Sequence, residues 1–269
     1  MSSAKNTDKA TLLPLDGKVA IVSGSSSGIG AAIAQKLSLQ GAHVVINYPF
    51  ETEKQKAEKV LKSLEGAAKA ITVEADLSTP TGPSKLVEAA VAQFGSIDIL
   101  VNNAGIAVPI VLQNATDDAF HTIWDSVMNL NARGTILLTR AVLKHLSPKN
   151  SRIINISSAT SRNPEPNMSI YAGSKGMIES FTRCWARDLP RRYGCTVNTV
   201  APGPVDTESL RAAPPHALES AMQTCKSTPV APRMATPSEI AWTVAMLCEE
   251  GAGWLNGLYI PVTGGSTLN

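Results

Sequence analysis

The sequence has little net charge and no long apolar run, and both absences narrow the possible functions. Its 24 basic and 22 acidic side chains leave a net charge of +2, so we expect no nucleic-acid partner. No apolar run reaches the length that crosses a bilayer, so we expect no membrane association. The first 14 residues lack the apolar centre of a secretory signal, and residues 1–14 are therefore predicted to form a flexible arm.

Cysteine is scarce and irregularly spaced. The four cysteines, Cys184, Cys195, Cys225 and Cys248, form no CxxC or CxxH pattern, so a zinc site is improbable and no metal is expected. We interpret them as reduced, mostly buried thiols. Free thiols are typical of a reducing compartment, so the predicted location is the cytoplasm.

Short apolar runs alternate with helix-forming stretches along the whole chain. Apolar residues make up 43% of the 269 residues, which is enough for a sizeable core. Strands are predicted at 18–22, 43–47, 70–73, 97–101, 152–156, 196–200 and 258–262, and helices at 28–40, 51–66, 80–94, 117–147, 170–190 and 237–250. This alternation predicts one α/β domain over 15–269, with a doubly wound parallel sheet of Rossmann type and helices on both faces.

One segment interrupts the alternation. From Pro202 to Pro237 the chain carries seven of its 17 prolines, with a possible short helix at 215–226. A long irregular stretch after a strand's carboxyl end is usually functional or mobile. We predict a substrate lid at about 205–235; the alternative is an ordinary surface excursion.

A glycine-rich turn follows the first predicted strand. Residues 23–30 read SGSSSGIG, a GxxxGxG spacing, and a helix-forming run comes next. Glycines permit a tight turn and close approach of the backbone to a ligand, and a helix N-terminus attracts phosphate. The turn therefore indicates a pyrophosphate site, although a plain helix-entry loop would have the same composition.

Tyr171 and Lys175 lie four residues apart, with Ser158 thirteen residues before the tyrosine. The spacing of four places both side chains on one helical face. A nearby ammonium favours phenolate and lowers the pKa of a tyrosine, which allows it to transfer protons near neutral pH. Ser158 is the candidate hydrogen-bond donor to a substrate oxygen, with the adjacent Ser157 as its alternative.

Six motifs in this order resemble the short-chain dehydrogenase/reductase family over about residues 15–265. Residues 23–30 match its TGxxxGIG turn with Ser23 in place of threonine, residues 102–105 match its NNAG, and 202–207 match its PG segment. The remaining matches are Asp76 after a strand, Asn131 before Ala-Arg-Gly, and the Ser158, Tyr171 and Lys175 set.

The resemblance implies a role for each matched residue. Tyr171 would be the general acid or base, Ser158 would bind the carbonyl oxygen, and Lys175 would lower the pKa of Tyr171 and bind the nicotinamide ribose. Asn131, with Asn129 as its alternative, would kink a helix and hold a water joined to Lys175. The implied cofactor-binding residues are Gly24, Ser26, Ser27, Gly28, Ile29, Gly30, Tyr48, Asp76, Leu77, Asn103, Ala104, Gly105, Tyr171, Lys175, Pro202, Gly203, Val205 and Thr207.

The choice of cofactor depends on the end of the second strand. Many NAD enzymes carry there an acid that binds the ribose 2′-hydroxyl, whereas this chain has Tyr48. The usual basic residues are also missing, and the hydroxyls of Ser26, Ser27 and Tyr48 are the candidates for holding a 2′-phosphate. We therefore expect NADPH, with NADH as the alternative.

The expected partner is a small ketone or alcohol. Segments 106–110, 159–168 and 210–222 should line its pocket, with Arg162, Glu165 and His216 as optional polar contacts. Residues 44–48 and 131–134 resemble the branch with 3-oxoacyl-carrier-protein reductases and polyhydroxynaphthalene reductases. This resemblance implies reduction of a ketone on a polyketide, acyl or cyclic aromatic substrate, and the four-residue Tyr–Lys spacing disfavours reduction of C=C bonds.

Two alternatives stay open at this point. One is an NAD-dependent alcohol dehydrogenase acting on a sugar or steroid, and the other is a cofactor-binding regulator without catalysis. The second would be expected to lose Tyr171 or Lys175, and both are present.

The family resemblance also implies self-association. Its members pair through helices that correspond to 117–147 and 170–190, which predicts a homodimer or a homotetramer with 222 symmetry. Phe181, Cys184, Trp185 and Leu189 form a stripe at helical spacing on the second helix. Such a stripe could equally pack into the core.

Overall fold

A single parallel sheet organises the molecule. The computed structural model describes residues 13–65 and 68–268, and within them seven strands lie in the order β3-β2-β1-β4-β5-β6-β7, every neighbouring pair parallel. The strands are β1 Val19–Val22, β2 His43–Tyr48, β3 Ala70–Glu74, β4 Ile99–Asn102, β5 Ser151–Ile156, β6 Cys195–Pro202 and β7 Tyr259–Val262. The predicted Rossmann-type fold is confirmed.

The central strands are buried on both faces because helices cover each side of the sheet. Every residue of β1, β4, β5 and β6 is buried, whereas most of the two edge strands is half-buried. Continuous apolar runs such as Val19–Val22 suit that environment, since both faces of the strand meet side chains. Because both faces of these strands are buried, a short apolar run is enough to predict them from the sequence.

Ten α-helices connect the strands within the described part of the chain. They are α1 Gly28–Leu39, α2 Lys54–Lys62, α3 Gly82–Phe94, α4 Asp117–Val127, α5 Thr135–Val142, α6 Ser169–Asp188, α7 Pro190–Tyr193, α8 Glu208–Arg211, α9 Pro215–Cys225 and α10 Pro237–Cys248. One core lies between the sheet and α1, α2 and α10, and the other between the sheet and α3 and α5 with the end of α6.

The helix predicted at 117–147 differs from the structure in two ways. A π-helical segment, Met128–Gly134, separates α4 from α5, and α5 ends at Val142. The π-helical segment is closely packed, since a Cβ on Gly134 would lie 2.6 Å from the carbonyl oxygen of Leu77. The Thr135 hydroxyl donates to the carbonyl of Asn131 at 2.7 Å, so a side chain takes up a backbone acceptor where the helical ladder widens. The widened turn carries Asn131 itself.

The helix predicted at 51–66 has different bounds, whereas the possible helix at 215–226 agrees with the structure to within a residue. The stretch predicted as a helix at 51–66 begins as a 3₁₀ turn, Glu51–Glu53, and its α-helix ends at Lys62. The possible helix at 215–226 is α9, and an isolated bridge between Val205 and Ala235 ties together the two ends of the segment predicted as a lid.

Most of the predicted N-terminal arm, residues 1–12, lies outside the described residues, as does the side chain of His216. Leu15 is buried and its amide bonds the carbonyl of Gln40 at 2.9 Å, so the packed region includes the start of the predicted domain.

The described residues include no helix that is both long enough and apolar enough to cross a membrane. They contain no group of three or more His, Cys, Asp or Glu side chains that could hold a metal. All four cysteines are free, and all but Cys184 are buried, as the sequence predicted.

Gly194, at the turn into β6, offers a direct test of the packing at this end of the sheet. Its φ is +63°, and a Cβ there would collide with the carbonyl oxygen of Pro148. Gly95 also has a positive φ, +84°, but a Cβ there would meet nothing within 4 Å. We expect Gly194→Ala to lower the free energy of unfolding by about 2–4 kcal/mol, since strain and overpacking add. Gly95→Ala should cost about 1 kcal/mol, from conformational strain alone.

Urea denaturation of the two variants and the parent protein measures both effects. Equal losses in the two variants would contradict the predicted clash.

Candidate active site

The glycine turn between β1 and α1 is packed so closely that side chains are excluded. Gly24 and Gly28 have φ values of +59° and +57°, and a Cβ on Gly30 would collide with the carbonyl of Gly24 and lie 2.6 Å from the side-chain nitrogen of Asn103. That nitrogen donates to the carbonyls of Ser23 and Gly24, at 2.8 and 3.1 Å. Asn103 therefore holds the turn in shape.

Two polar side chains, Ser23 and Asn47, hold the same turn in place through hydrogen bonds. The hydroxyl of Ser23 accepts the amides of Asn103 and Ala104 at 2.9 and 3.0 Å, so serine performs the structural task expected of the family's threonine. Asn47 was not predicted. Its side chain accepts the amide of Gly24 at 3.0 Å and donates to the carbonyl of Ala75 at 3.0 Å, which joins three loops. A polar residue inside the apolar run of β2 was the available signal.

The N-terminus of α1 is suited to phosphate. The first turn has no acidic residue, and Ser27 at the N-cap makes no side-chain capping bond. Ser25 uses its hydroxyl within the turn, donating to the Val22 carbonyl at 2.6 Å and accepting the Asn47 amide at 3.0 Å, whereas the hydroxyls of Ser26 and Ser27 make no such bond to the described residues. Backbone amides and free hydroxyls at a positive helix end form a cradle that fits the phosphates of a dinucleotide. Ile29 is half-buried behind this cradle and packs against the core.

Tyr48 ends β2 and is largely buried. It is only 5% exposed and belongs to the core beneath α1 and α2. Burial raises the pKa of Tyr48, and the neighbouring carboxylate of Glu74 raises it further. Ser26 is buried to a similar degree, at 8% exposed, so burial does not rank the three hydroxyls predicted to hold a 2′-phosphate.

Asp76 and Leu77 form the turn after β3. The carboxylate of Asp76 accepts the amide and the hydroxyl of Ser78 at 2.9 and 2.7 Å. Leu77 is buried in the second core, and its carbonyl faces Gly134. The turn therefore lies against the π-helical segment, which links the predicted adenine side of the site to the helix that carries Asn131.

Asn131 lies at the centre of the predicted catalytic group. It is fully buried, and its side chain bonds both the amide and the carbonyl of Ile106 at 2.9 Å and donates to the hydroxyl of Ser174 at 3.0 Å. A Cβ on Gly105 would lie 3.2 Å from both the Asn131 side-chain oxygen and the Lys175 nitrogen. Gly105 thus lets the backbone approach both side chains. Asn129, the alternative, is only half-buried and makes none of these contacts.

Lys175 is a buried cation. Its side chain is 4% exposed, and the nitrogen donates to the carbonyl of Ile156 at 2.8 Å. Burial lowers the pKa of Lys175 to about 8. The nitrogen lies 5.8 Å from the centre of the Tyr171 ring.

The pKa of Tyr171 is shifted in the direction opposite to the predicted one. Burial raises its pKa, and the hydrogen-bonding hydroxyl of Ser158 opposes that rise. The predicted lowering by Lys175 is absent because the ammonium points to the Ile156 carbonyl and is itself desolvated. The phenol is therefore held in its protonated form in this structure.

The two adjacent serines have different environments. Ser157 donates to the carbonyl of Lys175 at 3.1 Å and to Glu179 at 3.2 Å, so its hydroxyl is directed at α6. The hydroxyl of Ser158 accepts the amide of Thr160 at 3.2 Å and forms a hydrogen bond with the phenol of Tyr171. This geometry favours Ser158 over Ser157 as the serine that works with the tyrosine.

The segment after β6 completes the site. Pro202 ends β6, and the amide of Gly203 bonds the carbonyl of Val262 at 3.1 Å. Val205 pairs with Ala235, and the hydroxyl of Thr207 caps α8 while its methyl carbon lies 3.4 Å from the position of a Cβ on Gly28. The base of the predicted lid therefore contacts the glycine turn.

A small apolar core cluster lies next to Tyr171 in the chain, since it includes Ile170. Ile110, Val127 and Ile170 form a small buried cluster, with Val108 and Phe120 packed against it. Of the proposed polar contacts, Arg162 is held by Glu179 at 3.0 Å, and Glu165 is half-buried with a charge that raises the pKa of Tyr171.

Comparisons with known proteins give a consistent result. A family model described as enoyl-(acyl carrier protein) reductase matches residues 24–267. The short-chain dehydrogenase/reductase FrzI of Cladobotryum sp. is 44% identical over 92% of this chain and 95% of its own length. The hydroxynaphthalene reductase arp2 of Aspergillus fumigatus is 35% identical over 92% of this chain and 91% of its own.

Solved structures agree with the sequence relatives. The angucycline C-6 ketoreductase LanV with bound NADP is 34% identical, and the two structures superpose with a TM-score of 0.85 over 95% of this chain and 98% of LanV. The shared fold, the ordered motifs and the clustered Ser158, Tyr171 and Lys175 confirm the family that the sequence predicted. The chain belongs to the short-chain dehydrogenase/reductase family of oxidoreductases.

Proposed function

We propose that this protein is an NADPH-dependent carbonyl reductase that acts on a ketone of a polyketide, acyl or cyclic aromatic substrate. The observation that carries the proposal is the hydroxyl pair of Ser158 and Tyr171 beside the buried cation of Lys175. Two neighbouring hydroxyls can polarise a carbonyl oxygen and protonate it.

Each catalytic side chain has one task in this mechanism. Ser158 donates a hydrogen bond to the substrate carbonyl oxygen and stabilises the negative charge that develops there. Tyr171 transfers its phenolic proton to the same oxygen, and its raised pKa keeps that proton in place beforehand. A bound nicotinamide cofactor supplies the hydride.

Lys175 and Asn131 support the proton transfer. The ammonium of Lys175 would bind the ribose hydroxyls of the cofactor and bring positive charge near the phenolate as it forms. Asn131 lies 3.0 Å from Ser174 and beside Gly105 and Lys175, in a π-helical turn of the kind that often marks functional sites. This position supports its assignment to a proton relay that recharges Tyr171.

NADPH is proposed because no acid stands at the end of β2 and because two free hydroxyls face the α1 N-terminus. Ser26 and Ser27 would bind the 2′-phosphate, while the amides that follow Gly28 would bind the pyrophosphate. The NADP bound to LanV supports the same choice. The adenine side would rest on Asp76 and Leu77, and the nicotinamide side on the residues implied by the family at 202–207.

The substrate class follows from an exposed apolar side chain beside the site. Ile106, whose backbone bonds the Asn131 side chain, offers no charge to a polar sugar, whereas a flat or extended apolar ketone would bury its surface there. The names of arp2, a hydroxynaphthalene reductase, and LanV, a ketoreductase, support this choice. The sugar or steroid alcohol dehydrogenase is the weaker alternative.

The remaining features of the proposal concern the whole chain. Residues 15–269 form one domain, residues 205–235 close over the substrate, and the protein works in the cytoplasm as a homodimer or homotetramer. The stripe on α6 is mixed, since Leu189 is buried while Cys184 is exposed and Phe181 stacks on Trp185 with ring centres 5.5 Å apart. Light scattering that gave a strict monomer would contradict the assembly.

Tyr171→Phe tests the proposed chemistry. The variant should lose reduction of ketones by about 10²–10⁴-fold, the usual contribution of a positioned acid, while NADPH binding stays within about threefold because the phenol is only one of many residues expected to bind the cofactor. Consumption of NADPH at 340 nm should be followed with an acyl thioester, a cyclic diketone, an aromatic polyol ketone, a keto steroid and an enoyl thioester.

Tyr193→Phe is the matched control, since Tyr193 lies in α7 away from the site and should keep full activity. Activity retained in Tyr171→Phe would remove the tyrosine from the mechanism. Cofactor binding with no turnover of any ketone by the parent protein would favour the non-catalytic alternative.

Ser27→Ala tests the choice of cofactor. Loss of one hydroxyl that donates to a charged phosphate should weaken NADPH binding by about 5–20-fold. NADH has no 2′-phosphate, so its dissociation constant should change by less than about twofold, and fluorescence titration measures both. Equal changes for the two cofactors would show that Ser27 does not hold the 2′-phosphate.

Lys175→Met tests whether the buried cation is kept at the expense of stability. The folded pKa is about 8, below the ordinary value of 10.5, so the unfolded chain binds more protons between these values and the stability of the parent rises with pH across that window. Below pH 8 the parent carries the full cost of a buried ammonium. Lys175→Met should therefore unfold with a free energy about 1–3 kcal/mol higher at pH 7, and the difference should shrink towards pH 10.5.

Urea denaturation at pH 7 and pH 10 measures this difference, while the 340 nm assay should show that the same variant is inactive. A less stable variant at pH 7, or a gap that does not change with pH, would contradict the prediction.

A further inference from the structure

A second buried charge lies on the catalytic face of α6. Glu179 is 6% exposed and follows Lys175 by four residues and Tyr171 by eight, so all three side chains project from one side of the helix. A carboxylate this deeply buried is costly unless it is paired and hydrogen-bonded. The chemistry proposed above gives it no task.

The partners of Glu179 come from the loop that carries Ser158. One carboxylate oxygen accepts the hydroxyls of Ser157, at 3.2 Å, and of Ser161. The other accepts the guanidinium of Arg162 at 3.0 Å. Three side chains that flank Ser158 in sequence therefore converge on one carboxylate of the catalytic helix.

The same two hydroxyls also contact the backbone of catalytic residues. The Ser157 hydroxyl lies 3.1 Å from the carbonyl of Lys175, and the Ser161 hydroxyl lies 2.6 Å from the carbonyl of Ser158. Each hydroxyl has a single proton, so the carboxylate and the carbonyl share it as acceptors. Glu179 thereby connects the backbone of the serine to the backbone of the lysine through one hydroxyl on each side.

Arg162 extends the contact to the edge of the sheet. Its guanidinium carbon lies 3.6 Å from the centre of the Tyr259 ring in β7. The arginine is thus fixed by an ion pair on one side and an aromatic face on the other. The loop after β5 is held between α6 and β7, and this leaves little freedom for the residues at its start.

We propose that Glu179 is a positioning residue that holds the loop of Ser157 to Arg162 against α6 and so sets the distance between the Ser158 hydroxyl and the Tyr171 phenol. The inference rests on the proposed reductase function, since it names the residue that aligns the two donors. Catalytic groups lose efficiency when they move by as little as 1 Å, so the effect of Glu179 should fall on turnover and not on binding.

Glu179→Ala and Glu179→Gln test the proposal in the full-length protein. We expect Glu179→Ala to lower kcat for ketone reduction by about 10–100-fold, while KM and the dissociation constant for NADPH stay within about threefold. Glu179→Gln should recover most of kcat, because its amide oxygen can still accept from both serines.

Asp98→Ala is the matched control for the loss of a buried carboxylate. Asp98 pairs with Lys18 at 3.0 Å and accepts the amide of Val19 at 3.0 Å, at the opposite end of the strands from the site. Asp98→Ala should lower the midpoint temperature of thermal unfolding, but it should not lower kcat at a temperature where both variants are folded. Equal kcat values in Glu179→Ala and Asp98→Ala would overturn the proposal.

A double mutant shows whether Glu179 acts through the loop. If it does, Ser161→Ala combined with Glu179→Ala should be no slower than Glu179→Ala alone, because the shared contact is already lost. If the two single losses in kcat multiply in the double mutant, Glu179 does not act through Ser161 and the proposed role of the loop is wrong.

Hydrogen exchange gives a readout that needs no substrate. The amides of Thr160 and Ser161 bond to Ser158 at 3.2 and 3.1 Å, so their exchange should quicken by about tenfold or more in Glu179→Ala and stay unchanged in Asp98→Ala. Unchanged protection in Glu179→Ala would reject the positioning role even if no substrate is found. Altered protection without any ketone turnover by the parent protein would instead reject the proposed function and leave the positioning role intact.

Discussion

The candidate active site depends on buried amide and hydroxyl side chains that tie together the carboxyl ends of the strands. Parallel strands leave unpaired backbone groups where they end, and these groups must be satisfied before a ligand can be held in place. Asn47 joins the ends of β1, β2 and β3, while Asn102 donates to Asn155 at 2.8 Å and so links β4 to β5. Asn155 in turn donates to Thr182 of α6 at 2.8 Å. The helix that carries the tyrosine and the lysine is therefore fixed to the centre of the sheet by hydrogen bonds, and the precision of the site follows from the rigidity of the strands.

The site also combines several features that cost stability. A lysine is buried with a depressed pKa, a carboxylate is buried one turn further along the same helix, and the facing helix contains a widened π-turn around a fully buried asparagine. Each feature would be replaced by apolar packing if stability alone mattered. They are concentrated within one region, beside a glycine that lets the backbone approach Asn131 and Lys175 at once, and such clusters of costly polar groups are typical of functional sites. The same region explains why variants at the lysine and at the carboxylate are expected to change activity and stability in different ways.

Most of the architecture could be predicted from local patterns, because buried parallel strands have short apolar runs and the glycine turn has a backbone requirement that few residues meet. The bounds of α1, β2 and α9 lie within a residue of those predicted. The π-turn could not be predicted, since the packing of Gly134 on Leu77 involves a loop more than fifty residues away. The pKa of Tyr171 was predicted in the wrong direction, because spacing on a helix shows that a lysine is near but not where its nitrogen points. Glu179 was missed since nothing in its own neighbourhood reveals partners on other elements, whereas Asn47 offered one local signal, a polar side chain inside an apolar strand.

The sequence by itself determined the family and the order of strands and helices, and it supplied the side chains for which catalytic roles are proposed, because these depend on residue type and on spacing along one element. The tertiary structure alone decided which of the two adjacent serines lies by the tyrosine and how the loop after β5 is held against α6. The reason is that each of these depends on distances between elements far apart in the chain, and such distances are set by packing around the sheet.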